Sequence, residues 1–176
     1  MKKAAGALRD ADVPFVLGGG LAAWARGGPE SDHDVDLLVK PADAERALEA
    51  LVGAGMRPER PPEGWLLKAW DGDVMIDVIY DPATGEVTDE VLERAEEREV
   101  ISTRMRVMAL EDIMVTKLRA LDETHLDFAG ALEIARALRE QIDWSEVRER
   151  TKDSAYAKAF FTLVEELGIV EPAPVG

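Results

Sequence analysis

The feature that most constrains this sequence is a run of three glycines between an apolar segment and a helix-like segment. Residues 14–17 predict a short buried strand, Gly18, Gly19 and Gly20 follow directly, and residues 21–26 have a helical pattern. Glycines permit a tight turn whose backbone N–H groups point outwards, and the beginning of a helix adds partial positive charge. The pattern therefore predicts a phosphate site made by the backbone.

A pair of aspartates follows on the next predicted strand, residues 34–39. Because side chains alternate in a strand, Asp34 and Asp36 project from the same face. Carboxylates this close repel each other, so they are either solvated or bound to a cation. Asp77 lies in a later apolar run, 74–80, where an unpaired charge is costly. A shared metal would satisfy all three carboxylates, whereas pairing with a Lys or Arg would satisfy Asp77 alone.

The remaining pattern of the first 107 residues predicts strands alternating with helices. Asp71-Gly72 between two apolar runs indicates a β-hairpin. The other expected segments are helices over 2–12, 41–52 and 88–97, a proline-rich loop over 57–64, and a strand or hairpin over 100–107.

After Leu110 the pattern is helical alone. Asp143 and Glu146 predict a capping box, and Gly168 predicts a helix C-cap. We expect an α/β (α+β) fold: a small mixed sheet flanked by helices at 1–107, a helical subdomain at 108–170 and a loose tail at 171–176. The predicted helices span 110–121, 126–138, 144–150 and 155–167.

Composition narrows the classes of function. The 176 residues include no cysteine, which excludes disulfides, zinc thiolate sites and thiol nucleophiles. The sequence has no apolar stretch long enough for a signal peptide or a membrane span, so we expect a cytoplasmic protein without a membrane partner. A net charge of −15 disfavours general nucleic-acid binding, although a bound divalent ion can reverse the field locally.

The glycine turn and the Asp34/Asp36 pair, within residues 16–39, resemble the signature of polymerase β type nucleotidyltransferases, in which Gly-Gly or Gly-Ser precedes Asp-x-Asp. Asp77, in Val-Met-Ile-Asp-Val-Ile, matches the third carboxylate of that superfamily. The resemblance implies an enzyme that moves a nucleoside monophosphate from a nucleoside triphosphate such as ATP to a hydroxyl group. It also implies that Asp34, Asp36 and Asp77 are catalytic and bind two Mg²⁺ ions.

The resemblance further implies that the nucleotide is held by the glycine turn, by Ser31 and by Lys117. The segment 110–121 looks like a helix of bacterial nucleotidyltransferases, including type IV abortive-infection toxins, in which a Lys contacts the nucleotide. Lys117 also shares a helical stripe with apolar residues and should face inwards, either to the nucleotide or with its ammonium reaching water. Asp127 matches a downstream acidic residue of those toxins, or acts as a helix cap.

The acceptor stays open at this point. Similar enzymes transfer nucleotides to antibiotics such as aminoglycosides or lincosamides, and similar toxins modify tRNA or protein and have an antitoxin partner. The acidic charge favours a small or cationic acceptor, or a protein, over tRNA. His33 is expected to be a loop residue, since Mg²⁺ prefers oxygen ligands. The stretch 30–33 lacks a basic side chain, which leaves an inactive nucleotide-binding or partner-binding module as the alternative function.

Overall fold

The computed structural model describes residues 1–31 and 34–172 and has a seven-stranded mixed sheet. The strands lie in the order β3-β4-β5-β2-β1-β7-β6, so the second strand along the chain is at the centre. The strands are β1 (Val16–Leu17), β2 (Val35–Leu38), β3 (Arg57–Glu59), β4 (Leu66–Asp71), β5 (Val74–Ile79), β6 (Glu96–Val100) and β7 (Thr103–Val107).

Helices precede, interrupt and follow the sheet strands, and the segments after β7 are helical. None of the helices in the described ranges is long and apolar enough to cross a membrane. The helices are α1 (Lys2–Asp10), α2 (Gly19–Ala25), α3 (Ala44–Gly53, preceded by a 3₁₀ turn at Pro41–Asp43), α4 (Asp89–Arg94), α5 (Leu110–Arg119), α6 (Ala129–Leu138), α7 (Trp144–Thr151) and α8 (Ala155–Glu166).

The pairing of β2 sets the position of the predicted site residues. β2 runs parallel to β5, with Asp36 directly opposite Asp77, and antiparallel to β1. β5 is also the second strand of a hairpin with β4, in which Asp77 lies opposite Lys68. Because paired residues in a sheet project from the same face, these three side chains form a row across three adjacent strands.

The opposite face of the same strands is apolar and buried. Leu37, Ile76 and Val78 are each at most 1 % exposed, and α3 packs against β3, β4 and β5. α1 in turn packs on α3. This division gives the central strands one face in the core and one face free for polar side chains.

Helix α5 joins the sheet to the later helices. Its apolar side, which includes Ile113, Met114 and Leu118, belongs to the same core cluster as the sheet strands, and the helix packs on α2, α6, α7 and α8. Asp112, also on α5, is 2 % exposed and accepts two hydrogen bonds from Arg94, each 2.9 Å long. Arg150 of α7 donates another. One carboxylate therefore connects α4, α5 and α7.

The β4–β5 hairpin and the last helix confirm the sequence prediction. Gly72 has a φ of +64° at the hairpin turn, a conformation that favours glycine. Gly168, also at +64°, follows α8, and the N–H of Ile169 donates to the carbonyl of Val164. This bond and that from Gly168 to Glu165 form a Schellman motif, as the C-cap prediction required.

Three predicted boundaries were wrong, each because a local interaction overrides the pattern. The expected loop 57–64 begins with strand β3, since Pro58 is tolerated on an edge strand. The expected helix 88–97 ends at Arg94, because Glu96–Val100 pairs with β7. The expected helix 126–138 begins at Ala129, whose N–H donates to the side chain of Asp127 at 2.8 Å.

The capping box at α7 is present in one direction only. Asp143 accepts hydrogen bonds from the N–H groups of Ser145 and Glu146, as a cap should. The N–H of Asp143 donates to Glu111 at 2.9 Å instead of to Glu146, which binds Arg150 at 2.8 Å. The reciprocal half of the box is thus supplied by α5.

Replacement of Asp112 tests its structural role. We expect Asp112→Ala to lower the free energy of unfolding by about 2 kcal/mol, because the hydrogen bonds by which Arg94 and Arg150 connect α4 and α7 to α5 are lost. Urea unfolding followed by circular dichroism measures the change. Asp89→Ala is the control, because the side chain of Asp89 is 73 % exposed in its pair with Lys40 and its loss should have little effect. Equal effects of the two substitutions would contradict this role for Asp112.

Candidate active site

The glycine turn is shaped by Asp36. Gly19 has a φ of +58°, and a Cβ atom at this position would overlap Oδ2 of Asp36. The backbone N–H of Gly18 donates to the carbonyl of Asp36 at 2.8 Å. The first turn of α2 and the centre of β2 are therefore in direct contact, and only glycine at position 19 permits it.

The neighbouring glycines are also sites of close approach. A Cβ at Gly20 would overlap the hydroxyl of Ser31, and a Cβ at Gly18 would overlap the side chain of Leu38. The sequence pattern predicted a phosphate role for these glycines and did not predict their steric role. The sequence could have indicated these contacts, because each contacting residue lies in the segment that follows α2 and leads back to the sheet. A phosphate role for the turn and for Ser31 stays a prediction.

Asp77 forms an ion pair with a lysine, whereas the sequence indicated only that a Lys or an Arg could be its partner. The ammonium of Lys68 lies 2.8 Å from Oδ1 of Asp77, and both side chains are largely buried. The predicted turn at Asp71-Gly72 would have placed Leu66 opposite Asp77, but the turn of the hairpin lies one residue later. A turn centred on Gly72 and Asp73 places residues 71 and 74 opposite each other, and continuing the register places Lys68 opposite Asp77.

Charge and burial both act on Asp36. The pKa of Asp36 is raised to about 6, with burial as the largest cause and the carboxylates of Asp77 and Asp34 acting in the same direction, whereas Lys117 and Lys68 lower it. Asp34 itself is exposed, immediately before β2. A buried carboxylate beside two like charges is costly, so the site favours the arrival of a cation.

A cavity of about 760 Å³ opens beside Asp36 and Gly19, which both lie on its wall. Lys117 of α5 lies on its wall, half-buried, with its ammonium beside Gly130 at the beginning of α6. Other polar residues at the wall are Asp81, Asp122 and His125. The cavity also has a substantial apolar lining, formed by Leu38, Trp65, Ile79, Pro82, Ala83, Met108, Ile113 and Ala120.

The loop after α5 is ordered by one carboxylate. Asp122 accepts hydrogen bonds from the N–H and hydroxyl of Thr124, each 2.7 Å long, and from the N–H of His125 at 2.8 Å. These bonds lower the pKa of Asp122 to about 2, with the Thr124 hydroxyl as the largest cause. The sequence analysis had not assigned Asp122 or His125 to the site.

The donor chemistry fits a hard divalent cation, because carboxylate oxygens are the ligands that Mg²⁺ prefers. Within residues 1–31 and 34–172, however, no three acidic or histidine side chains are close enough together to enclose a metal ion. Oδ1 of Asp77 is bound to Lys68 instead. The assignment of Asp34, Asp36 and Asp77 as metal ligands stays a prediction. Asp32 and His33 lie outside the described residues, as do positions 173–176 of the predicted tail.

Comparison with known proteins identifies the class. A family described as uncharacterised nucleotidyltransferase matches residues 2–165, and the chain belongs to this family. No curated protein gives a significant sequence match. The family match covers the sheet, the cavity and most of the later helices.

Solved structures show the same fold in nucleotidyltransferases that modify antibiotics. The antibiotic-resistance factor ANT(2″)-Ia in complex with adenylyl-2″-tobramycin has a TM-score of 0.64 at 16 % identity, covering 90 % of this chain and 95 % of that one. Its solution structure gives 0.63 at 15 % identity, covering 94 % and 93 %. The lincosamide adenylyltransferase LnuA, bound to lincomycin, gives 0.52 at 11 % identity, covering 74 % and 89 %. The chain therefore has a polymerase β type nucleotidyltransferase fold.

Replacement of Gly19 tests the contact between the turn and Asp36. We expect Gly19→Ala to lower the free energy of unfolding by at least about 1 kcal/mol, because an alanine is strained at positive φ and its Cβ would displace Asp36. Gly6→Ala is the matched control. Gly6 lies within α1 with nothing near its Cβ position, so alanine there should leave stability unchanged or raise it. Thermal unfolding of both variants measures the difference, and a Gly19→Ala protein as stable as the wild type would contradict the contact.

Proposed function

We propose that this protein transfers a nucleoside monophosphate from a nucleoside triphosphate to a hydroxyl group of a small cationic acceptor. The observation that carries the proposal is the alignment of Asp36 with Asp77 beneath a cavity whose wall includes Lys117. Family membership supports the nucleotidyltransferase activity, and the burial of Asp36 supports a role for its charge beyond solubility.

Asp34, Asp36 and Asp77 would hold the divalent cation in this proposal. When bound, Mg²⁺ would neutralise these carboxylates and polarise the α-phosphate of the nucleotide. Lys117 would offset negative charge on the triphosphate, an electrostatic role. The N–H groups of the glycine turn and the hydroxyl of Ser31 are further candidates for phosphate contacts.

The transfer step would form a bond between the acceptor oxygen and the α-phosphorus and break the bond between the α- and β-phosphates. Pyrophosphate leaves with the bonding electron pair, and the hydroxyl proton passes to a base or to water. Asp77 is suitable either as that base or as a metal ligand, since its carboxylate lies in register with Asp36. Lys68 holds the other side of the same carboxylate.

The charges on the cavity wall favour a cationic acceptor. Asp81 and Asp122 lie on the cavity wall, and the apolar residues around Trp65 can bury the carbon framework of a small molecule. The net charge of −15 also favours such an acceptor over tRNA. An aminoglycoside-like antibiotic has this chemistry, and it is preferred here to the tRNA or protein acceptor and the antitoxin partner that the toxin resemblance implies.

Replacement of Asp36 tests the proposed function. The protein is incubated with Mg²⁺, each α-labelled nucleoside triphosphate and a panel of aminoglycosides and lincosamides, and label transfer is measured. We expect Asp36→Asn to reduce transfer at least about 100-fold, because it removes the buried charge at the centre of the site. The variant should be as stable as the wild type or more so in metal-free buffer, because an unfavourable buried charge is gone.

Asp73→Asn is the matched control, since Asp73 is an exposed turn residue of the same sheet and its replacement should leave transfer unchanged. Transfer that survives in Asp36→Asn would exclude the assigned site. Triphosphate binding without transfer to any hydroxyl compound would instead favour an inactive nucleotide-binding module.

A further inference from the structure

A row of charged side chains extends from the candidate site to the edge of the sheet. In register across β2, β5, β4 and β3 lie Asp36, Asp77, Lys68 and Glu59. Paired side chains project from the same face, so each has the next as its cross-strand neighbour. Lys68 therefore separates the two site carboxylates from the carboxylate of Glu59.

The contacts within the row assign Lys68 to Asp77 rather than to Glu59. The Lys68 ammonium lies 2.8 Å from Oδ1 of Asp77 and 3.2 Å from the sulfur of Met75. Glu59 is engaged elsewhere, because it accepts a 2.8 Å hydrogen bond from the indole of Trp70. The side chains of Lys68 and Asp77 are 19 % and 13 % exposed, so solvent screens the pair only weakly.

Burial makes the orientation of this pair well defined. A Lys on an exposed surface changes rotamer readily and contributes little to an ion pair. Lys68 is instead confined between Met75 and Asp77 on the adjacent strand, with its own strand bonded on both sides. The Asp77 carboxylate is thereby held with one oxygen on the ammonium.

We propose that Lys68 is a positioning residue for the nucleotidyl transfer: it fixes the Asp77 carboxylate and offsets its charge in the metal-free protein. The inference rests on the proposed function and adds a residue to it. Lys68 acts through Asp77 and does not itself touch the reacting atoms. Its positive charge also opposes a divalent cation that approaches the same carboxylates.

Removing the charge of Lys68 should therefore have two effects, one on turnover and one on metal affinity. Without the ammonium, the Asp77 side chain can leave its orientation, and a small displacement of a catalytic group is enough to slow a reaction markedly. At the same time the carboxylates attract a cation more strongly, because a nearby positive charge is gone. Slower turnover together with tighter metal binding is a combination that a general folding defect does not produce.

Lys68→Met tests the inference, because methionine has a similar length and no charge. We expect label transfer at saturating substrates to fall at least about tenfold. Mn²⁺, used as a probe in the absence of nucleotide and followed by electron paramagnetic resonance, should bind about threefold to tenfold more tightly. Lys3→Met is the matched control, since Lys3 also pairs with an aspartate of the sheet, Asp71, but both side chains are largely exposed. It should change neither quantity.

Two further variants separate positioning from mere packing. Lys68→Arg restores a donor of like charge and should recover turnover to within about fivefold of the wild type, with Mn²⁺ affinity returning towards the wild-type value. In an Asp77→Asn background, Lys68→Met should cause no additional loss of turnover, because a residue that acts through Asp77 has nothing left to position.

Several outcomes would overturn the inference and leave the proposed function intact: wild-type turnover in Lys68→Met, weaker or unchanged Mn²⁺ binding, or additive losses with Asp77→Asn. If the wild-type protein transfers no label, the proposed function fails by that result. The Mn²⁺ titrations of the wild type and Lys68→Met then decide the charge effect on their own, and equal affinities overturn it.

Discussion

The parallel pairing of β2 with β5 is the constraint on which the rest of the site depends. It places Asp36 directly opposite Asp77, and it also places Leu37 opposite Val78 on the buried face. A shift of β2 by one residue would turn Asp36 into the core and Leu37 away from it, while Asp77 would keep its face. The burial of Leu37 and Val78 therefore stabilises the register in which the two carboxylates meet.

The second constraint is the contact between this strand and the glycine turn. Asp36 is buried because Gly19 allows its carboxylate to lie against the backbone of α2. The same burial raises the pKa of Asp36, so the steric property of one residue changes the electrostatic property of another. Glycine is thus required here for the site carboxylate itself, whatever further role the turn has towards phosphate.

The sequence was sufficient to predict local features that have a regular side-chain alternation or a characteristic turn sequence. Side-chain alternation predicted a shared face for Asp34 and Asp36, which stays a prediction because β2 begins at Val35. Asp71-Gly72 predicted a hairpin, and the structure has one between β4 and β5 with its turn at Gly72 and Asp73. Strand order was not predictable, because Asp36 of β2 pairs with Asp77 of β5, 41 positions further along the chain, and no local pattern encodes that choice. For the same reason the segment after α4 was read as a continuing helix, although pairing with β7 makes it a strand.

The site residues differ in how well the sequence predicts them. The aspartates were visible as charges in apolar runs, whereas Lys68 became a partner of Asp77 only through the hairpin register. Asp122 lies on the cavity wall because its own hydrogen bonds from Thr124 and His125 order the loop after α5. A sequence pattern does not specify these hydrogen bonds.

The distribution of charge around the cavity would influence where each substrate of the proposed reaction binds. Lys117 acts on Asp36 from α5 and Lys68 acts on Asp77 from β4, so positive charge flanks the carboxylates on two sides. A metal-bound triphosphate carries net negative charge and is attracted to the Lys117 side, whereas a cationic acceptor is attracted to Asp81 and Asp122. Under the proposed function, the two substrates of opposite charge would meet in this cavity beside Asp36, the site carboxylate that lies on its wall.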